Sequence, residues 1–153
     1  MQIAAAQGSE LVARKSRLAR QMYKLTDVHR VLIVDDNLVD ARHVTAILHL
    51  LLGRRIVVAH YKSIPAAIAA MRNQQPDLMF LDDVLPPLDR AESSMRSLRR
   101  HGFTAPFVIM TGMLTQTRRK ELMALEPLGV LHKDDVDSLT VGEILIRMIP
   151  AAD

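Results

Sequence analysis

The sequence predicts an α/β fold, a doubly wound parallel sheet of five strands that alternate with five helices, with an N-terminal helical extension in front. Three observations predict this fold. Five short apolar runs recur along the chain, and each ends in polar or turn residues. Stretches with the apolar spacing of helices lie between the runs. The runs themselves do not alternate with polar residues, which is typical of strands that are buried on both faces.

The predicted strands and helices follow one another in regular order. The strands are expected at residues 31–34, 56–59, 78–81, 107–110 and 130–131, and the helices at residues 38–52, 65–72, 89–100, 115–125 and 136–149. Gly53 and Gly102 follow the first and third of these helices, where glycine is a common terminator. Pro65 lies in the first turn of the second, where proline is tolerated. Right-handed crossovers then place the helices on both faces of the sheet.

Composition limits the class of protein. The 153 residues suit a single domain, and about half of them are hydrophobic. Because the chain has no cysteine, disulfides and cysteine-based zinc sites are excluded, and the 3% of aromatic residues argue against a stacking platform for nucleic acid. We find neither an apolar run long enough to cross a membrane nor a secretion signal, and therefore expect a cytoplasmic protein without membrane insertion.

The basic charge of the chain is concentrated in its first residues. We expect residues 1–27 to form a basic amphipathic extension, helical over about residues 9–25, and residues 28–153 to form the main domain. Residues 1–25 carry five basic residues and one acidic residue, whereas the whole chain has a net charge of +3. The apolar positions of the extension repeat at helical or heptad spacing. The extension can pack on its own domain, pair with a second copy, bind an acidic partner, or bind DNA or a membrane non-specifically.

Polar side chains follow four of the five predicted strands. Asp35 and Asp36 follow the first strand, Asp82 the third, Thr111 the fourth and Lys133 the fifth. In open parallel sheets, ligands bind beyond the carboxyl ends of the strands. We therefore expect these carboxylates, the hydroxyl and the ammonium group to lie along one edge of the sheet.

Such a set of groups suits phosphoryl transfer. Several carboxylates at one edge repel each other, and a divalent cation would relieve this repulsion. Mg²⁺ is the expected ion, because it prefers oxygen ligands and is commonly bound by carboxylates together with a phosphate. A carboxylate beside the metal can act as a nucleophile toward phosphorus. Lysine and hydroxyl donors can stabilise the charge of the transferring group.

Four motifs carry a resemblance to a known family. They are residues 31–36 (VLIVDD), 76–86 (PDLMFLDDVLP), 106–112 (PFVIMTG) and 129–133 (GVLHK). In their order and separation they resemble the receiver domain of bacterial response regulators, of the single-domain type similar to chemotaxis regulators. The resemblance covers about residues 28–149 and implies the flavodoxin-like receiver fold.

The resemblance also implies roles for individual residues. Asp82 would be the phosphoacceptor, Lys133 would bind a phosphoryl oxygen, and Thr111 would turn its hydroxyl toward the phosphoryl group. The metal, Mg²⁺, would be held by Asp35, Asp36, Asp82 and the backbone carbonyl of Val84. The phosphoryl donor would be a phosphohistidine on a sensor histidine kinase or a histidine phosphotransfer protein, and the receiver would catalyse the transfer largely by itself.

The chain departs from the family pattern at several positions near this site. Val130 replaces a common aromatic residue, which puts an aromatic-flip readout in doubt. Asp83 adds a charge directly after the acceptor; it either tunes metal affinity or faces solvent, and we expect the second. Val84 and Met113 occupy two positions that influence how water reaches the phosphoryl group. Because both are apolar, we expect slow self-dephosphorylation.

The expected function is that of a stand-alone response regulator in a two-component phosphorelay, a signalling protein and not an enzyme acting on other substrates. Output would occur through protein–protein contact, because no output domain is visible. Two alternatives remain: a degenerate, phosphate-independent receiver that serves as an adaptor or dimerisation module, and a DNA-associated regulator that uses the N-terminal helix. Apolar residues on several sides of the helices at 38–52 and 136–149 predict a homodimer.

Overall fold

The computed structural model of the protein describes residues 2–150, and the outer ends of the two predicted units, residues 1 and 153, lie outside this range. The strands are β1 (Arg30–Val34), β2 (Val57–Tyr61), β3 (Leu78–Asp82), β4 (Val84–Leu85), β5 (Asp89–Arg90), β6 (Phe107–Thr111) and β7 (Gly129–His132). Five of them form a parallel sheet in the order β2-β1-β3-β6-β7. This architecture confirms the predicted fold class.

Alternate residues of the central strand β3 enter two different hydrophobic cores. Leu78 and Phe80 pack in the core on one face of the sheet, and Met79 and Leu81 pack in the core on the other. All five residues of β3 are buried. The continuous apolar runs in the sequence follow from this arrangement, because each side chain is covered whichever face it takes.

Helices cover both faces of the sheet. They are α1 (Gln2–Met22), α2 (Leu38–Leu52), α3 (Ile64–Met71), α4 (Ala91–Arg100), α5 (Gln116–Met123) and α6 (Ser138–Leu145). Residues of α2 and α6 belong to the first core, and residues of α3, α4 and α5 belong to the second. The sheet is therefore doubly wound, as predicted.

Capping side chains determine where several helices begin. The side chain of Asn37 accepts a hydrogen bond from the backbone N–H of Asp40 at 3.0 Å, which starts α2. Thr115 caps α5 in the same way, although the sequence predicted Thr115 as the first helical residue. Asp137 and Thr140 form a capping box at α6. Because a capping residue takes extended dihedral angles, the helix starts one residue after it.

Three predicted helices are shorter in the structure, among them the one predicted at 115–125, which spans Gln116–Met123. The third predicted helix begins at Ala91 rather than Asp89, because Asp89 and Arg90 pair with Val84 and Leu85 in a small antiparallel ribbon. The last ends at Leu145 and continues as a short 3₁₀ turn over Ile146–Met148. The ribbon places a fixed turn directly after the end of β3, beside the polar edge of the sheet.

The N-terminal helix α1 packs on α6 of its own chain. It was predicted at residues 9–25, and it begins earlier and ends earlier than that. Leu18 is buried, and its methyl groups lie 2.6 and 2.8 Å from the position that a Cβ atom would occupy at Gly142. Arg14 donates a hydrogen bond from Nε to Oε2 of Glu143 at 3.1 Å. A glycine on α6 therefore provides the space that the leucine fills.

The packing of α1 changes the basis for a homodimer. Part of the apolar surface of α6, which supported that prediction, is covered by α1, whereas Leu50 on α2 remains exposed.

Within residues 2–150, no helix combines the length and the hydrophobicity needed to span a bilayer.

Candidate functional site

Three carboxylates meet at the carboxyl edge of the sheet. Asp35 and Asp36 follow β1, and Asp82 is the last residue of β3, the neighbouring strand. One oxygen of each of the three side chains lies within 4.8 Å of the others. Asp35 and Asp82 are buried, and Asp36 is exposed. The structure therefore brings together the three aspartates that the sequence predicted.

Lys133 is the cation of this cluster. It follows β7, and its Nζ lies 3.1 Å from Oδ2 of Asp35 and 3.3 Å from Oδ2 of Asp82. A third partner, Asp40 in the first turn of α2, accepts a hydrogen bond from Nζ at 2.8 Å. Burial by itself lowers the pKa of Lys133, but the hydrogen bond to Asp40 and the charges of Asp82 and Asp35 raise it above its ordinary value. Lys133 therefore stays protonated.

Sequence reasoning missed Asp40. The sequence does indicate where Asp40 lies. Asn37 is a good capping residue, and Asp40 is the third residue of the helix that Asn37 caps. The sequence does not show, however, that the side chain of Lys133 lies over that helix terminus. Asp40 is thus a third carboxylate partner of the ammonium group, in addition to Asp35 and Asp82.

Negative charge remains in excess around Asp82. Burial and, to a smaller extent, the charge of Asp35 raise the pKa of Asp82, Lys133 lowers it, and the pKa that results is about 7. One lysine thus does not compensate the carboxylates at this edge. A divalent cation with oxygen ligands would complete the compensation, and the donor set of Asp35, Asp36 and Asp82 fits Mg²⁺ in chemical type.

Thr111 is buried at the end of β6, beside Asp82 in the sheet, but its hydroxyl does not point at the cluster. Its Oγ1 donates to Oδ2 of Asp83 at 3.2 Å, and Oγ1 accepts a hydrogen bond from the N–H of Met113 at 3.3 Å. Of the predicted set, the structure therefore joins Asp35, Asp36, Asp82 and Lys133 directly, and it places Thr111 next to them with a different partner.

The expectation that Asp83 faces solvent is wrong. Asp83 is 1% exposed, and its N–H donates to the carbonyl of Met110 at 2.8 Å. Its carboxylate is paired with the guanidinium of Arg118 on α5: Nε donates to Oδ2 at 3.1 Å and Nη2 donates to Oδ1. The N–H of Ala91, at the start of α4, donates to Oδ1 at 3.3 Å. These donors compensate the buried charge, which explains why the side chain turns inward.

Arg118 also holds Glu92 on α4. Nη1 and Nη2 of Arg118 donate to the two carboxylate oxygens of Glu92, both at 2.7 Å. The hydrogen bond from Arg118 holds the pKa of Glu92 at about 2, well below its usual range, and the same pairing raises the pKa of Arg118. Sequence reasoning missed both residues, because a single arginine among several in a polar helix gives no signal.

Two apolar side chains flank the edge of the sheet. Val84, in β4, is half exposed, and Met113, after β6, is largely exposed. Neither side chain carries an atom that can orient a water molecule.

Comparison with known proteins gives one family. The model of the family described as "Response regulator receiver domain" matches residues 31–141. A curated relative from Rhodospirillum rubrum, "Protein-glutamate methylesterase/protein-glutamine glutaminase 3", is 33% identical over 132 residues. The match covers 80% of this chain and 34% of the relative, so the chain spans about a third of that relative's length.

Solved structures show the same fold. The signal receiver domain of a modulated diguanylate cyclase from Desulfovibrio desulfuricans is 23% identical, with a TM-score of 0.65, and the match covers 80% of this chain and 94% of that one. The receiver domain of the putative response regulator NarL from Mycobacterium tuberculosis gives 17% identity, a TM-score of 0.63 and coverages of 79% and 98%. A CheY-like receiver domain from Methylobacillus flagellatus is 22% identical, with a TM-score of 0.60, and the match covers 81% of this chain and 100% of that one.

Proposed function

We propose that this chain, which belongs to the response regulator receiver domain family, accepts a phosphoryl group on Asp82 and passes the signal on by protein–protein contact. One observation carries the proposal. The carboxylate of Asp82 ends a buried strand and lies 3.3 Å from the ammonium group of Lys133, within a cluster that also contains Asp35 and Asp36. A carboxylate nucleophile, a fixed cation and a set of oxygen ligands are the groups that phosphoryl transfer needs.

Each residue has a proposed part in the transfer. An oxygen of Asp82 attacks the phosphorus of a phosphohistidine, the P–N bond breaks, and the imidazole leaves with its electron pair. Lys133, held by Asp40, offers its ammonium group to a phosphoryl oxygen. Thr111 donates its hydroxyl hydrogen to another phosphoryl oxygen after the transfer. Mg²⁺ would neutralise the developing charge.

The proposed metal ligands are four oxygen donors. They are the carboxylates of Asp35, Asp36 and Asp82 and the backbone carbonyl of Val84. The positions of the carboxylates support this assignment, because Asp82 ends β3, Asp35 is buried directly after β1, and Asp36 is open to solvent. An exposed ligand lets a hydrated ion enter and keep part of its water shell.

The proposed partner is a sensor histidine kinase or a histidine phosphotransfer protein in the cytoplasm. We further propose that the chain forms a homodimer through exposed apolar residues of α2, among them Leu50. Its only chemistry would be uptake of the phosphoryl group by Asp82 and the slow hydrolysis of the product. It would not act as an enzyme on a separate substrate.

The first prediction tests phosphoryl uptake. With Mg²⁺ and a small phosphodonor, the wild type should gain one phosphoryl group, and Asp82→Asn should gain none. Intact-mass spectrometry measures the adduct, and sedimentation velocity with beryllofluoride measures any change in oligomeric state. Asp134→Asn is a matched control, because this carboxylate is 88% exposed beside Lys133 and should leave uptake unchanged.

Two outcomes would contradict this prediction. An adduct that survives in Asp82→Asn would assign the acceptor to another residue. The absence of an adduct on the wild type with every donor, together with no response to beryllofluoride, would favour the alternative of a phosphate-independent adaptor. Removal of Mg²⁺ with a chelator should abolish uptake by the wild type.

A second prediction concerns the lifetime of the phosphorylated state. Because Val84 and Met113 cannot orient a water molecule, the acyl phosphate should hydrolyse slowly, and Val84→Asn should shorten its lifetime by about tenfold by holding a water near the phosphorus. Decay of the adduct, followed by mass, measures the rate. Leu88→Asn changes an exposed apolar residue in the turn of the same ribbon and should have no effect. A wild-type half-life of seconds would refute the prediction.

A further inference from the structure

The hydroxyl group of Thr111 has one hydrogen to donate. In this structure Oγ1 lies 3.2 Å from Oδ2 of Asp83 and 3.4 Å from the carbonyl oxygen of Met113, and the charged carboxylate is the stronger and closer acceptor. A hydroxyl that donates to Asp83 cannot donate at the same time to a group on Asp82. Asp83 therefore competes with the phosphoryl group for this hydrogen.

The carboxylate of Asp83 is fixed in orientation. Arg118 donates to both of its oxygens, and the N–H of Ala91 donates to Oδ1. The side chain is buried, so water does not replace these partners. Because Oδ2 accepts hydrogen bonds from both Arg118 and Thr111, the competing acceptor is already in place in this structure.

Three elements meet at this one carboxylate. Thr111 belongs to β6, Arg118 to α5 and Ala91 to α4. Arg118 also ties α5 to α4 through Glu92. A change in the partners of Asp83 therefore reaches two helices on the same face of the sheet. Val130, buried in the second core, supplies no aromatic side chain for that task.

We propose that Asp83 is a positioning residue that holds the hydroxyl of Thr111 away from Asp82 in the unphosphorylated protein, and that phosphorylation withdraws this hydroxyl and alters the contact of Asp83 with Arg118 on α5. The inference rests on the proposed phosphorylation of Asp82. Asp83 makes the resting state more favourable, and α5 receives the signal through an ion pair.

The test is a double-mutant cycle with beryllofluoride and Mg²⁺ as the probe. Asp83→Asn keeps the shape of the side chain and removes its charge, and Thr111→Val keeps the shape and removes the hydroxyl. Asp83→Asn should bind beryllofluoride about tenfold more tightly than the wild type, which is the effect expected for one hydrogen bond to a charged acceptor. In the Thr111→Val background the same substitution should change the affinity by less than about twofold, because the competition no longer exists. Calorimetric titration measures the four affinities.

A second measurement uses only the wild type and does not depend on how the variants fold. Hydrogen exchange of the amides in α5 should change when beryllofluoride and Mg²⁺ are added, whereas α3, which supplies none of the hydrogen-bond donors to the carboxylate of Asp83 described above, serves as the internal reference. An equal effect of Asp83→Asn in both backgrounds, or unchanged exchange in α5, would overturn the inference and leave the proposed function intact. If the wild type itself does not bind beryllofluoride, the proposed function and this inference both fail.

Discussion

Replacing Arg118 with methionine is expected to lower the free energy of unfolding by about 3–5 kcal/mol. The guanidinium of Arg118 is the cation that pairs with the buried carboxylate of Asp83, and Asp83 would be left with two weaker donors, the hydroxyl of Thr111 and the N–H of Ala91. Removal of one partner of a buried ion pair leaves an uncompensated charge in a poorly solvated place. Chemical denaturation at neutral pH measures the loss.

Lys120→Met is the matched control for this substitution. Lys120 lies on the same helix two residues later and is exposed, so its replacement should change stability by less than about 0.5 kcal/mol. The combination of Arg118→Met with Asp83→Leu should recover part of the loss, because it removes the orphaned charge. If Arg118→Met were as stable as Lys120→Met, the ion pair would not contribute to the fold.

The other large effect concerns Asp82 and pH. In the folded protein the pKa of Asp82 is raised to about 7, whereas its ordinary value is 3.8. Between these values the folded state binds a proton that the unfolded state has released, so the stability of the metal-free protein falls as pH rises through this window. Asp82→Asn has no such proton. It should be more stable than the wild type by about 2 kcal/mol at pH 8, and the difference should vanish near pH 4.

Denaturation curves of both proteins at several pH values, with a chelator present, measure this difference. Addition of Mg²⁺ at pH 8 should stabilise the wild type more than Asp82→Asn, because the ion binds the folded state through the carboxylates. Asp134→Asn controls for the loss of a surface carboxylate and should follow the wild type. A stability difference between wild type and Asp82→Asn that stays constant from pH 4 to pH 8 would show that folding does not raise the pKa of Asp82.

The fold could be predicted because its signals are local in the chain. Each central strand is an uninterrupted apolar run, and capping residues such as Asn37 and Asp137 stand directly before their helices. Asp35, Asp82 and Lys133 could be placed at one edge for a related reason. In a parallel sheet the carboxyl ends of all strands lie at the same edge, so a residue that follows a strand is placed at that edge.

The surroundings of Asp83 could not be predicted, because they depend on side-chain directions across distant parts of the chain. Asp83 and Arg118 are separated by 35 positions, and α5 contains other basic residues of the same kind. The sequence shows that a charge follows the acceptor, and an exposed position is the ordinary place for a charge. Only the arrangement of α4 and α5 over the sheet reveals that a guanidinium is available inside.

The location of α1 was left open for the same reason. The apolar stripe of α1 required a covering surface, and several surfaces were possible. Gly142 in the predicted last helix was the relevant residue, since glycine is a poor helix former and its presence within a helix often reflects close packing.

Because Leu18 of α1 packs against Gly142 of α6, the attachment of α1 depends on a residue of the main domain as well as on a residue of the extension. The space beside Gly142 exists because glycine has no side chain, and it accommodates the side chain of one leucine. A Cβ atom at position 142 would already occupy this space. Leu18 and Arg14 both contribute to this attachment, so a larger residue at position 142 would weaken it while leaving the basic residues of α1 in place.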